Sequence, residues 1–181
     1  MTMFGYDKIA MRPIEADDLD EMRRLRNDQS TWQYLSDATL ISNEMQLRWF
    51  DNNSRSLDDR YYAIVLPDED NRFIGIIRTD EIDYKNRSIR VGLDIVPEER
   101  GKGYGTVGYR MLFKYFFDYH SFHRLWLCVL ENNEVALKLY RNVGFKEEGR
   151  LRRAIWRNGK WVDYLIMSIL RNEYKNGEID E

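Results

Sequence analysis

The chain turns on Ser88–Tyr119, which reads SIRVGLDIV (88–96), PEERGKGYG (97–105) and TVGYRMLFKYFFDY (106–119). The first piece is apolar and β-branched enough for a buried strand, and Pro97 stops it. In Arg100–Gly105 every second residue is glycine. The third piece places Gly108, Met111, Leu112, Tyr115, Phe116 and Tyr119 at i, i+3, i+4, i+7, i+8 and i+11, the spacing of one buried helix face. The pattern therefore predicts a strand, a glycine loop and a helix in succession.

Such a unit has specific physics. Glycines let successive N–H groups turn toward one point without Cβ interference. The first turn of the following helix adds unpaired N–H groups and the positive end of the helix dipole. Together they form an anion site suited to a phosphate or diphosphate, and Arg100 and Lys102 are expected to add charge at its rim. The plain alternative is a glycine-rich turn. Walker A is excluded because Lys102 is followed by Gly103 rather than Ser or Thr. Gly103–Gly108 matches the dinucleotide G-x-G-x-x-G by letter, but Pro97–Lys102 intervenes between it and the strand, and the match begins near mid-chain.

Two motifs carry a resemblance to a known family. Arg100, Gly103 and Gly105 match Gln/Arg-x-x-Gly-x-Gly/Ala. Further on, Asn133, Ala136, Tyr140 and Gly144-Phe145 match an Asn-x-x-Ala…Tyr…Gly-Phe pattern. In this order, 30 residues apart, they resemble the GNAT superfamily of acetyl-coenzyme A-dependent N-acetyltransferases. Within it the chain is most similar to the branch of ribosomal-protein N-terminal and spermidine acetyltransferases, which Glu148-Gly149 and Asn158–Asp163 also fit.

Composition bounds the answer. At 181 residues, one domain over 1–181 is expected, with a core that needs no staples. A net charge of −3 offers no basic excess for nucleic acid, and no apolar run approaches membrane-spanning length. The single cysteine, Cys128, excludes an internal disulfide framework and reads as core. A cytoplasmic protein is expected, and a homodimer is left open.

In chain order, Lys8–Arg12 reads as a strand. A helix capped by Asp17 or Asp18 runs to about Arg26, and Asn27–Leu40 reads as irregular. Ser42 caps a helix through Phe50, which ends in an Asp51–Ser54 loop. Strands Tyr61–Leu66 and Phe73–Thr79 flank a turn at Pro67–Asn71, and Tyr84–Arg87 turns into the central strand. After the glycine-loop helix come strand Arg124–Val129, helix Asn133–Val143 closed by Gly144, and strands near Phe145–Trp156 and Trp161–Leu170. The expected class is α+β (mixed α/β): a single GNAT-like domain with a central, mostly antiparallel sheet of six or seven strands and about four helices.

The resemblance implies roles. Main-chain groups of Arg100, Gly101, Lys102, Gly103, Tyr104, Gly105 and Thr106 would hold the cofactor diphosphate, and Ile95 and Val96 would pair with its pantetheine amides. Asn133 would contact the cofactor; on composition alone it is equally a helix N-cap. Tyr140 would be the general acid toward the leaving thiolate, although its helical stripe with Ala136, Leu139 and Val143 also reads as core. The family's strand glutamate falls on Arg90, so the base is open: Asp94 is the candidate, a water relay is equally compatible, and Asp80, Glu81 and Asp83 lie nearby in sequence.

Acceptor contacts would come from Trp32, Tyr34, Trp49 and Trp156, each also readable as core. The basic run Arg150, Arg152, Arg153 and Arg157 is either a solvated face or a site for an anionic acceptor. His120 and His123 show no metal-ligand spacing, and no metal is expected. The expected reaction is direct acetyl transfer from acetyl-CoA to a primary amine of a small molecule or a protein N-terminus. A nucleotide-linked amino sugar is a subordinate acceptor, suggested by Arg26-Asn27, Trp32, Ile41-Ser42, Glu44 and Trp49-Phe50. Polyamines are less favoured for want of an acidic lining. A nicotinamide enzyme and a non-catalytic coenzyme A-binding or regulatory module are the competing classes.

Overall fold

The computed structural model describes residues 3–53 and 60–176. It contains strands β1 (Phe4–Tyr6) and β2 (Ile9–Pro13), helices α1 (Leu19–Asn27), α2 (Gln29–Trp32) and α3 (Asn43–Asn53), and strands β3 (Arg60–Leu66), β4 (Arg72–Asp83) and β5 (Ser88–Ile95). Then follow α4 (Tyr104–Phe113), β6 (Arg124–Leu130), α5 (Glu134–Asn142), β7 (Lys146–Arg157), β8 (Lys160–Leu170) and α6 (Arg171–Asn176). The strand order is β1-β2-β3-β4-β5-β6-β8-β7. The β5–β6 pair is parallel, whereas β1–β2, β2–β3, β3–β4, β6–β8 and β7–β8 are antiparallel.

The mixed α/β class holds, with eight strands and six α-helices among the described residues in place of six or seven and about four. The additions are short. β1 has three residues, α2 lies in the segment expected to be irregular, and α6 follows the last strand. Such pieces are too brief to show a period. α3 continues through Asp51–Asn53, where a loop was expected; Ser54 lies outside the described residues.

The chain packs as two compact units, Met1–Asp80 with Gly92–Met111 and Glu81–Val91 with Leu112–Glu181, so β4, β5 and α4 contribute residues to both. In the first unit, Leu19, Met22 and Leu25 on one face of α1 pack with Ile76 of β4, flanked by Trp49, Phe50 and Phe73. Asp18 is not the simple helix cap expected. Both its carboxylate oxygens accept from the Arg12 guanidinium (2.6 and 2.7 Å), and one also accepts the Glu15 N–H (2.8 Å). The pair is buried, so removing one partner costs about 3–5 kcal/mol. Ser42 does cap α3, its hydroxyl accepting the Met45 N–H at 3.2 Å.

In the second unit, Phe113 meets Phe117, Phe145 and Tyr174 at centroid distances of 5.9, 5.6 and 5.9 Å. α4 does not continue as an α-helix: Lys114–Tyr119 is a π-helical turn. The wider turn rotates the stripe, so Phe113 and Phe117 become fully buried while Tyr119, expected on the buried face, is exposed. Cys128 is also corrected. Leu125, Leu127 and Val129 face the core, and Cys128, on the alternate face of β6, is half-buried. Gly144 takes the left-handed conformation expected after α5 (φ 99°).

Candidate functional site

The glycine loop belongs to the first unit. A 3-10 turn, Pro97–Glu99, leads from β5 into it. Gly101 and Gly103 sit at φ 76° and 87°, and open space surrounds the position of an added Cβ at each. Glycine is therefore required there by backbone conformation rather than by crowding. The helical ladder of α4 opens with Val107 N–H donating to the Gly103 carbonyl at 3.2 Å. The N–H groups of Tyr104, Gly105 and Thr106 precede that bond, as at any helix start, and Gly103 has no side chain with which to cap them. At Gly108 a Cβ would lie 2.4 Å from Leu93 Cδ1, so α4 approaches β5 as closely as a glycine allows. This is the geometry an anionic diphosphate fits.

The rim cations are both exposed, and each is engaged by neighbouring groups. The Arg100 guanidinium reaches back to β5 and α2: Nε donates to the Ile95 carbonyl (2.9 Å), and the terminal nitrogens donate to the hydroxyls of Ser30 and Thr31 (2.6 Å each). It braces the loop against β5 and α2. The Lys102 ammonium pairs with Glu99 (2.9 Å), which Arg72 also holds (3.0 Å). Compact loop geometry satisfies each charge locally. With Lys102 first and Arg72 second, these cations hold the Glu99 pKa below its usual range against the effect of burial.

At the end of β5, the Val96 N–H donates to the Ile74 carbonyl at 2.9 Å. Asp94 pairs with Arg78 of β4 at 3.2 Å, and the Arg78 side chain crosses Gly92. Arg26 of α1 donates to the Asp37 carbonyl at 2.7 Å, while its Nη1 is buried without a hydrogen-bond partner. Burial lowers its pKa; Asp37 opposes that shift and the Arg78 charge adds to it. Nothing in the sequence signals this guanidinium pair, because its members come from different elements. Trp49 stands edge-on to Tyr61 at 4.7 Å. Trp32 is half-buried and Tyr34 exposed.

In the second unit, α5 carries the other candidates. Asn133 caps it, its side-chain oxygen accepting the Ala136 N–H at 3.2 Å. Tyr140, two turns on, is half-buried with its ring 5.9 Å from Phe145. Arg90 of β5 pairs with Glu81 (2.9 Å) and lies 5.7 Å from the Trp126 ring. Asp83 accepts from Asn86 in the β4–β5 turn. The basic run is broken up: Arg150 pairs with Glu131 (3.1 Å) and Asp163 (3.2 Å), Arg157 is buried, and Arg152 and Arg153 are exposed. Trp156 is exposed and meets Trp161 at 5.2 Å. No group of His, Cys, Asp and Glu among the described residues could hold a metal ion. No helix among them is long and apolar enough to cross a membrane.

Comparison with known proteins bears on this geometry. Residues 8–146 match the acetyltransferase (GNAT) domain family. The chain is 29% identical over 170 residues to a spermidine N(1)-acetyltransferase of Vibrio cholerae, covering 93% of this chain and 96% of the relative. It is 27% identical over 177 residues to the Escherichia coli K12 spermidine N(1)-acetyltransferase, covering 92% and 88%. The crystal structure of a Vibrio cholerae spermidine N-acetyltransferase in complex with CoA and spermine superposes with a TM-score of 0.87 at 27% identity, over 93% of this chain and 99% of that one. The chain belongs to the GNAT acetyltransferase family and is an acetyl-CoA-dependent N-acetyltransferase.

Proposed function

We propose that this chain, as one functional domain over 1–181, transfers acetyl directly to a small-molecule primary amine, with the glycine loop, Tyr140 and Asp94 in separate roles. The carrying observation is the start of α4, where a capless helix follows two left-handed glycines. Amides of 101–106 hold the cofactor diphosphate, the Arg100 N–H being bonded to the Pro97 carbonyl at 3.3 Å. Ile95 and Val96 orient its amide arm through their carbonyls, since the Val96 N–H already donates to Ile74. The cofactor supplies an acetyl group activated as a thioester. Positioning accounts for much of the rate. Tyr140 donates a proton to the departing sulfur and Asn133 supports the cofactor side. Asp94 accepts the amine proton; one of its oxygens already faces Arg78 at 3.2 Å, and a water relay is the competing route. This chemistry fits a cytoplasmic protein, and a homodimer is compatible with it.

The names of the relatives support a polyamine acceptor. A second reading, an amine that also carries an anionic group, is favoured by Arg78 and Arg26 near Asp94, since two guanidinium groups repel a polycation. Thiol release from acetyl-CoA with spermidine, a nucleotide-linked amino sugar, an amino acid and a peptide N-terminus separates these readings. Turnover limited to spermidine removes the second, and turnover limited to peptides removes the small-molecule reading. An Asp94→Asn variant with an unchanged pH–rate profile removes Asp94 as base.

A further inference from the structure

β1 and β2 pair antiparallel with Tyr6 opposite Ile9, so Asp7-Lys8 is a two-residue hairpin tip, with Asp7 left-handed at φ 53°. The tip reaches the glycine loop of the same unit. Lys8 Nζ lies 4.8 Å from the centre of the Tyr104 ring and 3.5 Å from the Lys102 carbonyl oxygen. Tyr104 is the first residue of α4 and Lys102 lies between the two left-handed glycines. Lys8 is exposed, and among the described residues no carboxylate pairs with it. The two cations within the loop are exposed as well, but each is held by closer contacts: Arg100 donates to Ile95, Ser30 and Thr31 at 2.6–2.9 Å, and Lys102 to Glu99 at 2.9 Å.

We infer that Lys8 supplies the balancing cation for the cofactor diphosphate, an inference that rests on reading 100–106 as the diphosphate loop. The main-chain amides there contribute only partial charges, while a diphosphate carries full negative charge. The 3.5 Å carbonyl contact is at the outer limit of a hydrogen bond, so the ammonium turns to a phosphate oxygen while giving up little. The Tyr104 face keeps it close to the helix start in the meantime. A charge-assisted bond to phosphate is stronger than either contact.

The test is calorimetric titration of Lys8→Met and Lys8→Arg with acetyl-CoA, with dephospho-CoA, which lacks the ribose phosphate, and with S-acetylpantetheine, which lacks the diphosphate. Lys8→Met is expected to weaken acetyl-CoA and dephospho-CoA alike by about tenfold at low salt, with the loss shrinking at high salt. Acetylpantetheine affinity stays unchanged, and Lys8→Arg stays near wild type. Wild-type affinity in Lys8→Met overturns the inference, as does an equal loss for acetylpantetheine or a loss that vanishes with dephospho-CoA. A wild-type protein that binds acetyl-CoA no better than acetylpantetheine overturns the loop reading itself.

Discussion

The starts of α4 and α5 are the instructive pair. Each follows a strand and a short loop, and each must dispose of the N–H groups that a helix start leaves over. α5 does so internally: the Asn133 side chain accepts the Ala136 N–H at 3.2 Å. α4 has Gly103 in the equivalent place, with no side chain to offer, and two left-handed glycines ahead of it. Asn133 thus serves stability within its own unit, whereas the loop before α4 has no such side-chain cap, and on the proposed reading its donors are left for a ligand.

The largest expected effect comes from forcing the α4 loop out of its shape. Gly103→Val places a β-branched side chain at φ 87°, and acetyl-CoA affinity in a titration is expected to fall by roughly a hundredfold or more. Unchanged affinity would show the positive φ to be ordinary turn geometry. Next, Tyr140→Phe on α5 is expected to lower kcat by at least about tenfold, with cofactor affinity barely altered. Intact turnover returns Tyr140 to packing against Phe145.

Asn133→Ala sharpens the contrast between the two helix starts. Loss of the cap costs about 1 kcal/mol in denaturant unfolding. If the acetyl-CoA dissociation constant also rises, Asn133 serves both cap and cofactor; if only stability moves, the cap is its whole role. The smallest effect concerns pH. Glu99, held below the ordinary glutamate range by Lys102 and then Arg72, adds stability at pH above that range and loses the contribution as pH falls through its lowered folded pKa. Glu99→Gln is therefore expected to flatten the acid limb of melting temperature against pH. An unchanged acid limb would show that the pairs with Lys102 and Arg72 add nothing at the loop.

Much of the fold was legible because its signals are local. β5, the glycine loop, α5 and the long closing strands show period, punctuation and motif within a dozen residues. What escaped was either too short to have a period, as with β1, α2 and α6, or set by packing. The π turn at Lys114–Tyr119 moved Tyr119 outward and brought Phe117 in, and no α-helical spacing anticipates that. At the site, the loop and its glycines could be read from the letters. The direction of Arg100 could not, since its partners Ser30 and Thr31 lie 70 and 69 residues away.

The sequence alone determined the strand–loop–helix unit, the family, and which backbone positions can turn their amides to an anion, because glycine's conformational freedom is a property of the residue itself. Tertiary structure decided which charges remain available. The formal charges of Arg100, Lys102, Arg78 and Asp94 are written in the sequence, but packing gave each of them close partners and left Lys8 with a 3.5 Å carbonyl contact and the Tyr104 ring. A charge acts through its neighbours, and those neighbours come from parts of the chain that only folding brings together.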